Sequence, residues 1–223
     1  MNKKTALILG ATGLIGNELL TILLEKPEYN KVVALVRKPL GMTHSKLEEK
    51  VINFDHLNED IFDRHIDDVY SCLGTTIKKA QSKEQMRTVD VLYPLTIAQL
   101  TKKIGAKQFL LVSSLNANAH SRIFYSKIKG ELEEEIQKIG FESVSFFRPS
   151  LLLGKRKEFR LGEKSAEFLY SMLPFIFSGP LRPYKAIHSK TVAQAMFKVA
   201  QLKVDGVTIY PSNKIEELGA IIS

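Results

Sequence analysis

The sequence has little cysteine and no tryptophan: one of its 223 residues is cysteine, at position 72. A single cysteine excludes an internal disulfide, which is typical of proteins from reducing compartments. The hydrophobic fraction of 44% and the charged fraction of 25% are ordinary for a globular α/β protein. At this length we expect one domain, residues 1–223, built around one main core.

Long apolar runs are missing as well. No stretch approaches the roughly 20 residues that a membrane-spanning helix needs. The apolar segment that follows Lys4 is interrupted by Gly10, Gly13 and Gly16, and it ends without the small-residue cleavage site of a secretory signal peptide. These absences predict a cytoplasmic protein with no membrane partner.

Acidic residues are fewer than basic ones, 24 against 32, which gives a formal net charge of +8. An excess of positive charge raises nucleic acid as a partner. The lysines are, however, spread along helical segments, often beside glutamates, and only residues 155–157 with Arg160 form a compact basic cluster. We therefore expect a solubilising surface and no specific nucleic-acid partner.

Metal-ligand spacing is also missing from the sequence. The five histidines are His44, His56, His65, His120 and His188. None of them stands at the short intervals from other ligands that zinc sites use. No metal site is predicted.

What the sequence does contain is a glycine motif near its amino terminus. The apolar run 6–9 precedes Gly10, Gly13 and Gly16, and an amphipathic helical pattern begins at Leu14. A strand, a glycine turn and a helix form the context in which this spacing binds a dinucleotide. The glycines would permit a tight turn, close approach of a pyrophosphate and close packing of helix on strand. The N–H groups at the helix start would bind the phosphates.

The second predicted strand, residues 31–37, ends in basic residues. In this kind of fold an Asp or Glu near that point binds the adenosine ribose hydroxyls of NAD. Here Arg37 and Lys38 follow Val36, and a guanidinium can clamp the extra phosphate of NADP. We therefore favour NADP, with NAD less favoured; a solvated basic turn before Pro39 is the alternative.

A third strand is predicted over residues 50–54, and Asp55 follows it. The Asp55 carboxylate would either accept a hydrogen bond from the adenine amino group or cap the short helix after it. The sequence leaves both alternatives open.

Small residues follow the next two predicted strands, residues 68–73 and 108–112. At the carboxyl end of a parallel strand, small residues allow a ligand to lie close to the backbone. These residues are Gly74, Thr75, Thr76, Ser113 and Ser114. Between the two strands we predict a long helix over 82–104, kinked at Pro94.

Tyr125 and Lys129 stand four residues apart in a predicted helix that runs to Ile139, so they share one helical face. An ammonium near a phenol favours the ionised phenol, which makes the tyrosine a usable acid or base. Ser114, at the end of the preceding strand, would hold a substrate oxygen against the phenol. Each feature alone is weak, but the three in this order predict an acid–base site.

Several segments together resemble the short-chain dehydrogenase/reductase superfamily. They are residues 10–16, Ser113-Ser114, Tyr125-x-x-x-Lys129 and Phe147-Arg148-Pro149. The likeness is greatest to atypical NADP-binding members, in particular the Tat-interacting-protein-like oxidoreductases. Residues 72–76 and the short interval from Ser114 to Tyr125 also resemble the corresponding features of that subgroup. It covers most of the chain, from Lys4 to about Leu202.

The resemblance implies a Rossmann-like, doubly wound parallel sheet with helices on both faces, and NADP as the cofactor. It also implies a catalytic set in which Tyr125 is the acid or base, Ser114 orients the substrate, and Lys129 binds ribose and tunes Tyr125. The residues assigned to cofactor binding, besides Tyr125 and Lys129, are Gly10, Thr12, Gly13, Leu14, Ile15, Gly16, Arg37, Lys38, Asp55, Leu73, Gly74, Thr75, Arg148 and Pro149.

One position departs from the superfamily pattern. Its members often carry an asparagine in the helix after the fourth strand, where this sequence has Asp90. A proton relay through that position is therefore not implied. The resemblance also leaves open a non-catalytic NADP-binding module that regulates or binds other proteins.

The pattern loosens after the predicted sixth strand, residues 143–147. We assign residues 155–187 to a small substrate-side region, whose aromatic side chains between Phe168 and Phe177 indicate an apolar cavity or ordinary core packing. A helix to about Leu202, a last strand over 207–210 and a short terminal helix are expected to follow.

The function that these features predict is an NADP(H)-dependent oxidoreductase acting on a small carbonyl or alcohol. Hydride would pass between the nicotinamide and the substrate carbon. Tyr125 would move the hydroxyl proton while Ser114 orients the oxygen. We expect a small-molecule substrate and a monomer or homodimer.

Overall fold

Seven parallel strands form the central sheet of the computed structural model, which describes residues 4–63, 65–154, 185–202 and 204–220. In chain order these strands are β1 (Lys4–Leu9), β2 (Tyr29–Val36), β3 (Leu47–Val51), β4 (Asp68–Ser71), β5 (Gln108–Val112) and β6 (Ser143–Arg148), and, after two short strands, β9 (Gly206–Pro211). The short strands β7 (Leu152–Leu153) and β8 (Ile187–His188) pair with each other in parallel.

The order across the sheet is β3-β2-β1-β4-β5-β6-β9, so the winding reverses between β1 and β4. In doubly wound sheets ligands bind beyond the carboxyl ends of the strands at this reversal. The predicted fold class, a Rossmann-like parallel sheet, is confirmed.

Helices cover both faces of the sheet. They are α1 (Leu14–Glu25), α2 (Ile77–Ala80), α3 (Lys83–Arg87), α4 (Tyr93–Lys103), α5 (Phe124–Lys138), α6 (Ser189–Leu202) and α7 (Ser212–Ala220), with a 3-10 turn over Glu59–Ile61. One core lies between the sheet and α1, α6 and α7, and the other between the sheet and α3, α4 and α5. Because both faces are covered, β1 is apolar on both sides over residues 6–9, which are fully buried.

The strands end where their neighbours end. β3 was predicted over residues 50–54, but it spans Leu47–Val51, because its partner β2 ends at Val36 opposite Val51. β4 was predicted to reach residue 73 and ends at Ser71, whose partner in β1 is Leu9, the last residue before the glycine turn. A strand without a neighbour cannot continue its ladder of hydrogen bonds.

The long helix predicted over 82–104 is divided. A π-helical turn, Thr88–Leu92, joins α3 to α4, and Pro94 lies in the first turn of α4. Proline has no N–H to donate to the carbonyl four residues earlier, which here belongs to Asp90. The irregular turn therefore lies where the helical ladder is already interrupted, and it leaves Asp90 fully buried.

A buried polar cluster closes the amino-terminal ends of the strands. Asp68 accepts hydrogen bonds from the phenol of Tyr29 (2.5 Å), from Gln108 Nε2 (2.9 Å) and from Lys4 Nζ (2.9 Å). The hydroxyls of Tyr29 and Tyr70 lie 2.8 Å apart. Gln108 also donates to a carbonyl oxygen of α6 (3.0 Å), so the cluster ties that helix to the sheet.

The substrate-side region predicted over 155–187 lies outside the described residues, apart from its last three. The proposed aromatic cavity between Phe168 and Phe177 lies outside them too. Among the described helices, none is both long and apolar enough to span a membrane.

Candidate dinucleotide and substrate site

The glycine turn between β1 and α1 has no room for side chains at two positions. Gly10 has a φ of +76°, and a Cβ there would lie 2.6 Å from the carbonyl oxygen of Cys72. A Cβ on Gly16 would lie 2.1 Å from the carbonyl oxygen of Gly10. The N–H of Gly13 donates to that same oxygen at 2.9 Å. Close packing of α1 on β1 therefore requires glycine at both ends of the motif.

The start of α1 is suited to an anion. Gly13 is its N-cap, no side chain caps the helix, and no acidic residue occupies the first turn. The first N–H groups of a helix and its dipole favour a phosphate there. Thr12 is exposed and Leu14 is half-buried, whereas the Ile15 side chain lies in the core at 5% exposure. A phosphate could therefore contact the backbone N–H of Ile15 but not its side chain.

A groove of about 530 Å³ lies beyond the carboxyl ends of β2 and β3. It brings together Arg37 and Asp55, which the sequence assigned to the adenosine end of the cofactor. Lys38 is exposed and is not among the described residues that line the groove. The lining residues are Arg37, Val51, Ile52, Asn53, Phe54, Asp55, Gln85, Val89 and Tyr93.

Tyr93 at the start of α4 binds Asp55 across this groove. Its phenol donates to Asp55 Oδ1. The pKa of Tyr93 is raised to about 12, first by burial and then by the hydrogen bond and charge of Asp55, while Arg37 opposes the shift. Asn58 and not Asp55 occupies the N-cap position of the 3-10 turn that follows, so the alternative in which Asp55 caps that helix is wrong. The adenine contact stays a prediction.

The turn after β4 is bound to a buried carboxylate. The N–H of Thr75 donates to Asp90 Oδ2 at 2.8 Å, so it is not free for a cofactor. Leu73 packs against the core formed with α3, α4 and α5, and Gly74 is exposed. The structure thus holds this turn close to Asp90.

Cys72 lies just after β4, with its backbone against Gly10. Burial raises the pKa of its thiol to about 12. A thiol with so high a pKa is not a nucleophile near neutral pH, which agrees with a packing role.

Asp90 also pairs with Lys129. Lys129 Nζ lies 3.0 Å from Asp90 Oδ1, and the two side chains are 2% and 0% exposed. Burial lowers the pKa of Lys129, but Asp90, Tyr125 and Glu133 together outweigh that effect, and the pKa is raised overall. Sequence reasoning treated Asp90 only as a departure from a pattern. Its place on the apolar stripe of Met86 and Ile97, at helical spacing, is the signal that indicates burial.

Lys129 lies close to Tyr125, as the four-residue spacing predicted. Its Nζ is 5.9 Å from the centre of the Tyr125 ring. Tyr125 is 38% exposed, whereas Lys129 is 2% exposed. This arrangement can place a fixed positive charge beneath an accessible acid or base.

Ser113 and Ser114 continue the carboxyl end of β5. The N–H of Ser113 donates to the carbonyl of Phe147 (2.7 Å), and that of Leu115 donates to Pro149 (3.2 Å). The Oγ atoms of both serines are buried and have no hydrogen-bond partner among the described residues. Buried hydroxyls are nearly always hydrogen-bonded, so these two have capacity left for a ligand or water.

The loop after Ser114 packs directly on α5. The N–H of Asn118 donates to the carbonyl of Ser126 at 3.0 Å. A Cβ on Gly130 would lie 2.1 Å from the backbone nitrogen of Ala119. Sequence reasoning missed Gly130, although an isolated glycine inside a helical pattern commonly marks a close approach.

Arg148, assigned to cofactor binding, is engaged within the protein. Its Nε donates to Glu133 Oε1 at 3.0 Å, and its Nη2 donates to Glu133 Oε2. Glu133 is buried on α5, four residues after Lys129. Pro149 is buried as well. The guanidinium therefore anchors β6 to α5, and direct contact of Arg148 with a cofactor remains a prediction.

A doubly wound sheet with a glycine turn at its reversal defines the NAD(P)-binding class of Rossmann proteins. The sequence model of the "NAD dependent epimerase/dehydratase family" matches residues 6–136. The chain belongs to this family, within the atypical short-chain dehydrogenase/reductases, which confirms the resemblance found in the sequence.

Two curated relatives agree with this membership. Protein HTATIP2 of Rattus norvegicus is 36% identical over 78% of this chain and 73% of its own length. Protein FMP52, mitochondrial, of Candida albicans is 34% identical over 89% of each chain.

Solved structures share the fold. MoeE5 in complex with UDP-glucose and NAD has a TM-score of 0.69 at 18% identity, covering 97% of this chain and 81% of that one. UDP-glucose 4-epimerase of Thermotoga maritima, with UDP-glucose, has a TM-score of 0.67 at 15% identity, covering 96% and 81%. At such identities the likeness establishes the fold alone.

The expectation of a cytoplasmic location is wrong on these comparisons. The FMP52 proteins of Candida albicans and of Aspergillus fumigatus, the latter 28% identical over 95% of this chain, are named as mitochondrial. The single cysteine bears on redox environment, and the interrupted apolar segment after Lys4 bears on secretion. Neither property distinguishes the cytoplasm from a mitochondrion, so the inference lacked a physical basis.

Proposed function

We propose that the protein is an NADP(H)-dependent oxidoreductase acting on a small carbonyl or alcohol. The observation that carries this proposal is the buried Ser114 hydroxyl, which has no partner among the described residues and lies at the carboxyl edge of the sheet. The Tyr125–Lys129 pair starts the helix on which the loop after Ser114 packs. These groups could orient a substrate oxygen and exchange a proton with it.

The residues at the glycine turn fit a dinucleotide. Because Gly10 and Gly16 have no side chains, α1 lies close to β1. The N-terminus of α1 has no side-chain cap and can bind the pyrophosphate. Arg37 in the adjacent groove favours the extra phosphate of NADP. MoeE5, named as an NAD complex, supports the dinucleotide class, and Arg37 is the residue that argues for NADP over NAD.

The chain's own side chains would divide the work as follows. The glycine turn and Arg37 would hold NADPH, and the chemistry that this cofactor would supply is hydride transfer to the substrate carbon. Ser114 would donate a hydrogen bond to the substrate oxygen, and Tyr125 would give that oxygen a proton. The Lys129 ammonium, held under the Tyr125 ring, would stabilise negative charge on the phenol oxygen and bind the ribose.

We further propose a small-molecule substrate, no specific nucleic-acid or membrane partner, and a monomer or homodimer. The distribution of charge supports the exclusion of nucleic acid. Several basic side chains on the described surface pair with acidic ones, as in Lys103–Glu59 (2.8 Å) and Lys107–Glu142 (3.5 Å). Such pairing leaves a mixed surface in place of a basic stripe.

The test is NADPH oxidation against a panel of aldehydes, ketones and quinones, repeated on any hit with variants. Tyr125→Phe should lower the rate by about 10²- to 10⁴-fold, because it removes the general acid, while NADPH affinity is kept. Lys129→Met should lower the rate and weaken NADPH binding together. Tyr210→Phe, which removes a phenol from β9, is the matched control and should leave the rate unchanged.

Two outcomes would decide against parts of this proposal. A hit whose rate is unchanged in Tyr125→Phe would contradict the assigned mechanism. An empty screen combined with firm NADPH binding would favour the alternative, a non-catalytic NADP-binding regulator. In that case Tyr125→Phe would have no effect, whereas changes at Lys129 and the glycines would still weaken binding.

A further inference from the structure

The buried pair of Asp90 and Lys129 joins two separate elements at the candidate site. Asp90 lies in the π-helical turn before α4, and Lys129 lies on α5. Asp90 uses one carboxylate oxygen for the ammonium (3.0 Å) and the other for the N–H of Thr75 (2.8 Å). One carboxylate thus connects α5 with the turn after β4.

The burial of this pair needs a reason beyond stability. The two side chains are 2% and 0% exposed, and buried ion pairs seldom stabilise a fold more than apolar residues of the same size. A lysine in such a place loses its charge unless a partner holds it. Asp90 therefore determines which protonation state of Lys129 the site contains.

Other groups that face Lys129 contribute less than Asp90. Tyr125 and Glu133 lie one helical turn before and after it on α5. Glu133 is already bound by the Arg148 guanidinium through two hydrogen bonds. Asp90, on the element packed against α5, makes the ion pair to the ammonium.

We propose that Asp90 is a positioning residue that keeps Lys129 protonated inside a desolvated site and fixes its ammonium beneath the Tyr125 ring. This inference deepens the proposed function and rests on it, since Lys129 is there assigned to the ribose and to Tyr125. Because Asp90 also accepts the hydrogen bond from the N–H of Thr75, it fixes the position of the turn after β4 relative to Lys129.

The substitution Asp90→Asn removes the negative charge of the side chain but keeps its size and shape. Asparagine keeps an oxygen that can accept from Thr75, but it removes the negative charge opposite Lys129. Burial then lowers the pKa of Lys129, whereas in the wild type its pKa is raised and the ammonium persists above neutral pH. The variant should therefore bind NADPH less tightly as pH rises, by about tenfold or more between about pH 6 and pH 9. The wild type should change little over this range.

The experiment measures NADPH affinity by fluorescence titration across this pH range and follows the Cε resonance of Lys129 by NMR in lysine-labelled protein. Lys129→Met identifies that resonance by its loss. Asp68→Asn, which removes another buried carboxylate at the opposite ends of the strands, is the matched control and should leave both readouts unchanged. Asp90→Glu keeps the charge and should keep the wild-type profile.

The proposal is supported if Lys129 loses its proton at lower pH in Asp90→Asn and Asp90→Glu restores the wild-type titration. It is overturned if Lys129 titrates alike in all three proteins, or if Asp90→Glu behaves as Asp90→Asn does. Should Asp90→Asn not fold, the double variant with Lys129→Met should fold, because no unpaired charge remains, and a double variant that also fails contradicts the proposal. If the wild type does not bind NADPH, the proposed function fails, while the Lys129 resonance still decides the role of Asp90.

Discussion

At the scale of single residues, the adenosine end of the proposed site depends on few side chains. Arg37, Asp55 and Tyr93 line one groove, and the Tyr93 phenol donates a hydrogen bond to Asp55. Arg37 is exposed, so its guanidinium stays hydrated until a phosphate binds. Discrimination between NADP and NAD should therefore depend mainly on this one charge.

We expect Arg37→Glu to weaken NADP binding by about 10- to 150-fold and to change NAD binding much less. A lost charge-assisted hydrogen bond costs about 1.5–3 kcal/mol, and the new carboxylate repels the extra phosphate. Isothermal titration calorimetry with both nucleotides measures the difference.

Lys107→Glu is the control for this prediction, because it makes the same change of charge at the amino end of β5, where Lys107 is exposed. It should leave both affinities unchanged. Wild-type protein that binds NAD as tightly as NADP would show that the assignment of Arg37 is wrong.

At the scale of secondary-structure elements, the position of α5 determines where Tyr125 and Lys129 lie. Its contact with the loop after Ser114 has no space for a side chain at Gly130, since a Cβ would lie 2.1 Å from the nitrogen of Ala119 and 2.3 Å from the carbonyl carbon of Asn118. Both neighbours are backbone atoms, so neither can rotate away. Close approach of helix and loop therefore requires glycine here.

We expect Gly130→Ala to destabilise the protein by about 1–3 kcal/mol, the usual cost of overpacking, and to reduce any activity that depends on Tyr125. Urea denaturation measures the first effect and the NADPH assay the second. Alanine ordinarily stabilises a helix interior by about 0.5–1 kcal/mol relative to glycine. A stabilised Gly130→Ala variant would therefore contradict the contact.

At the scale of the whole molecule, the buried polar cluster at the amino-terminal ends of the strands joins β1, β2, β4, β5 and α6. Burial raises the pKa of Tyr29 well above its ordinary value, and Tyr70 and Asp68 add to that shift. Burial likewise raises the pKa of Tyr70. Each phenol is therefore neutral in the folded protein at pH values where the unfolded chain has already lost that proton.

This difference fixes the sign of the pH dependence. The contribution of each phenol to stability is complete below about pH 10, the ordinary pKa of tyrosine, and is lost as pH rises further. We expect the free energy of unfolding to fall above pH 10, by about 1.4 kcal/mol per pH unit for each of the two phenols. Urea denaturation at a series of alkaline pH values measures the slope.

Tyr29→Phe tests the source of that slope. It should cost about 1–3 kcal/mol at neutral pH, because Asp68 loses a buried hydrogen bond, and the alkaline slope should become shallower by one phenol's share. An alkaline slope equal to that of the wild type would assign the loss of stability to other groups.

Much of this protein is determined by its sequence alone. The glycine spacing after an apolar run, the buried parallel strands and the ends of α4, α5 and α6 arise from local preferences, so the fold class and the span of β5 were predictable. The shared helical face of Tyr125 and Lys129 follows from helical periodicity. These properties depend on residues that are close together along the chain.

Tertiary structure decided what depends on distant partners. β3 and β4 end where β2 and β1 end, which no pattern within either segment could indicate. Asp90 and Lys129 are 39 positions apart, and their pairing required α4 and α5 to pack on the same face of the sheet. Arg148 of β6 binds Glu133 because α5 packs on the sheet. The partner of a buried charge is the side chain that the tertiary fold places next to it. The role of such a charge therefore depends on how the helices pack on the sheet and not on its own segment of sequence.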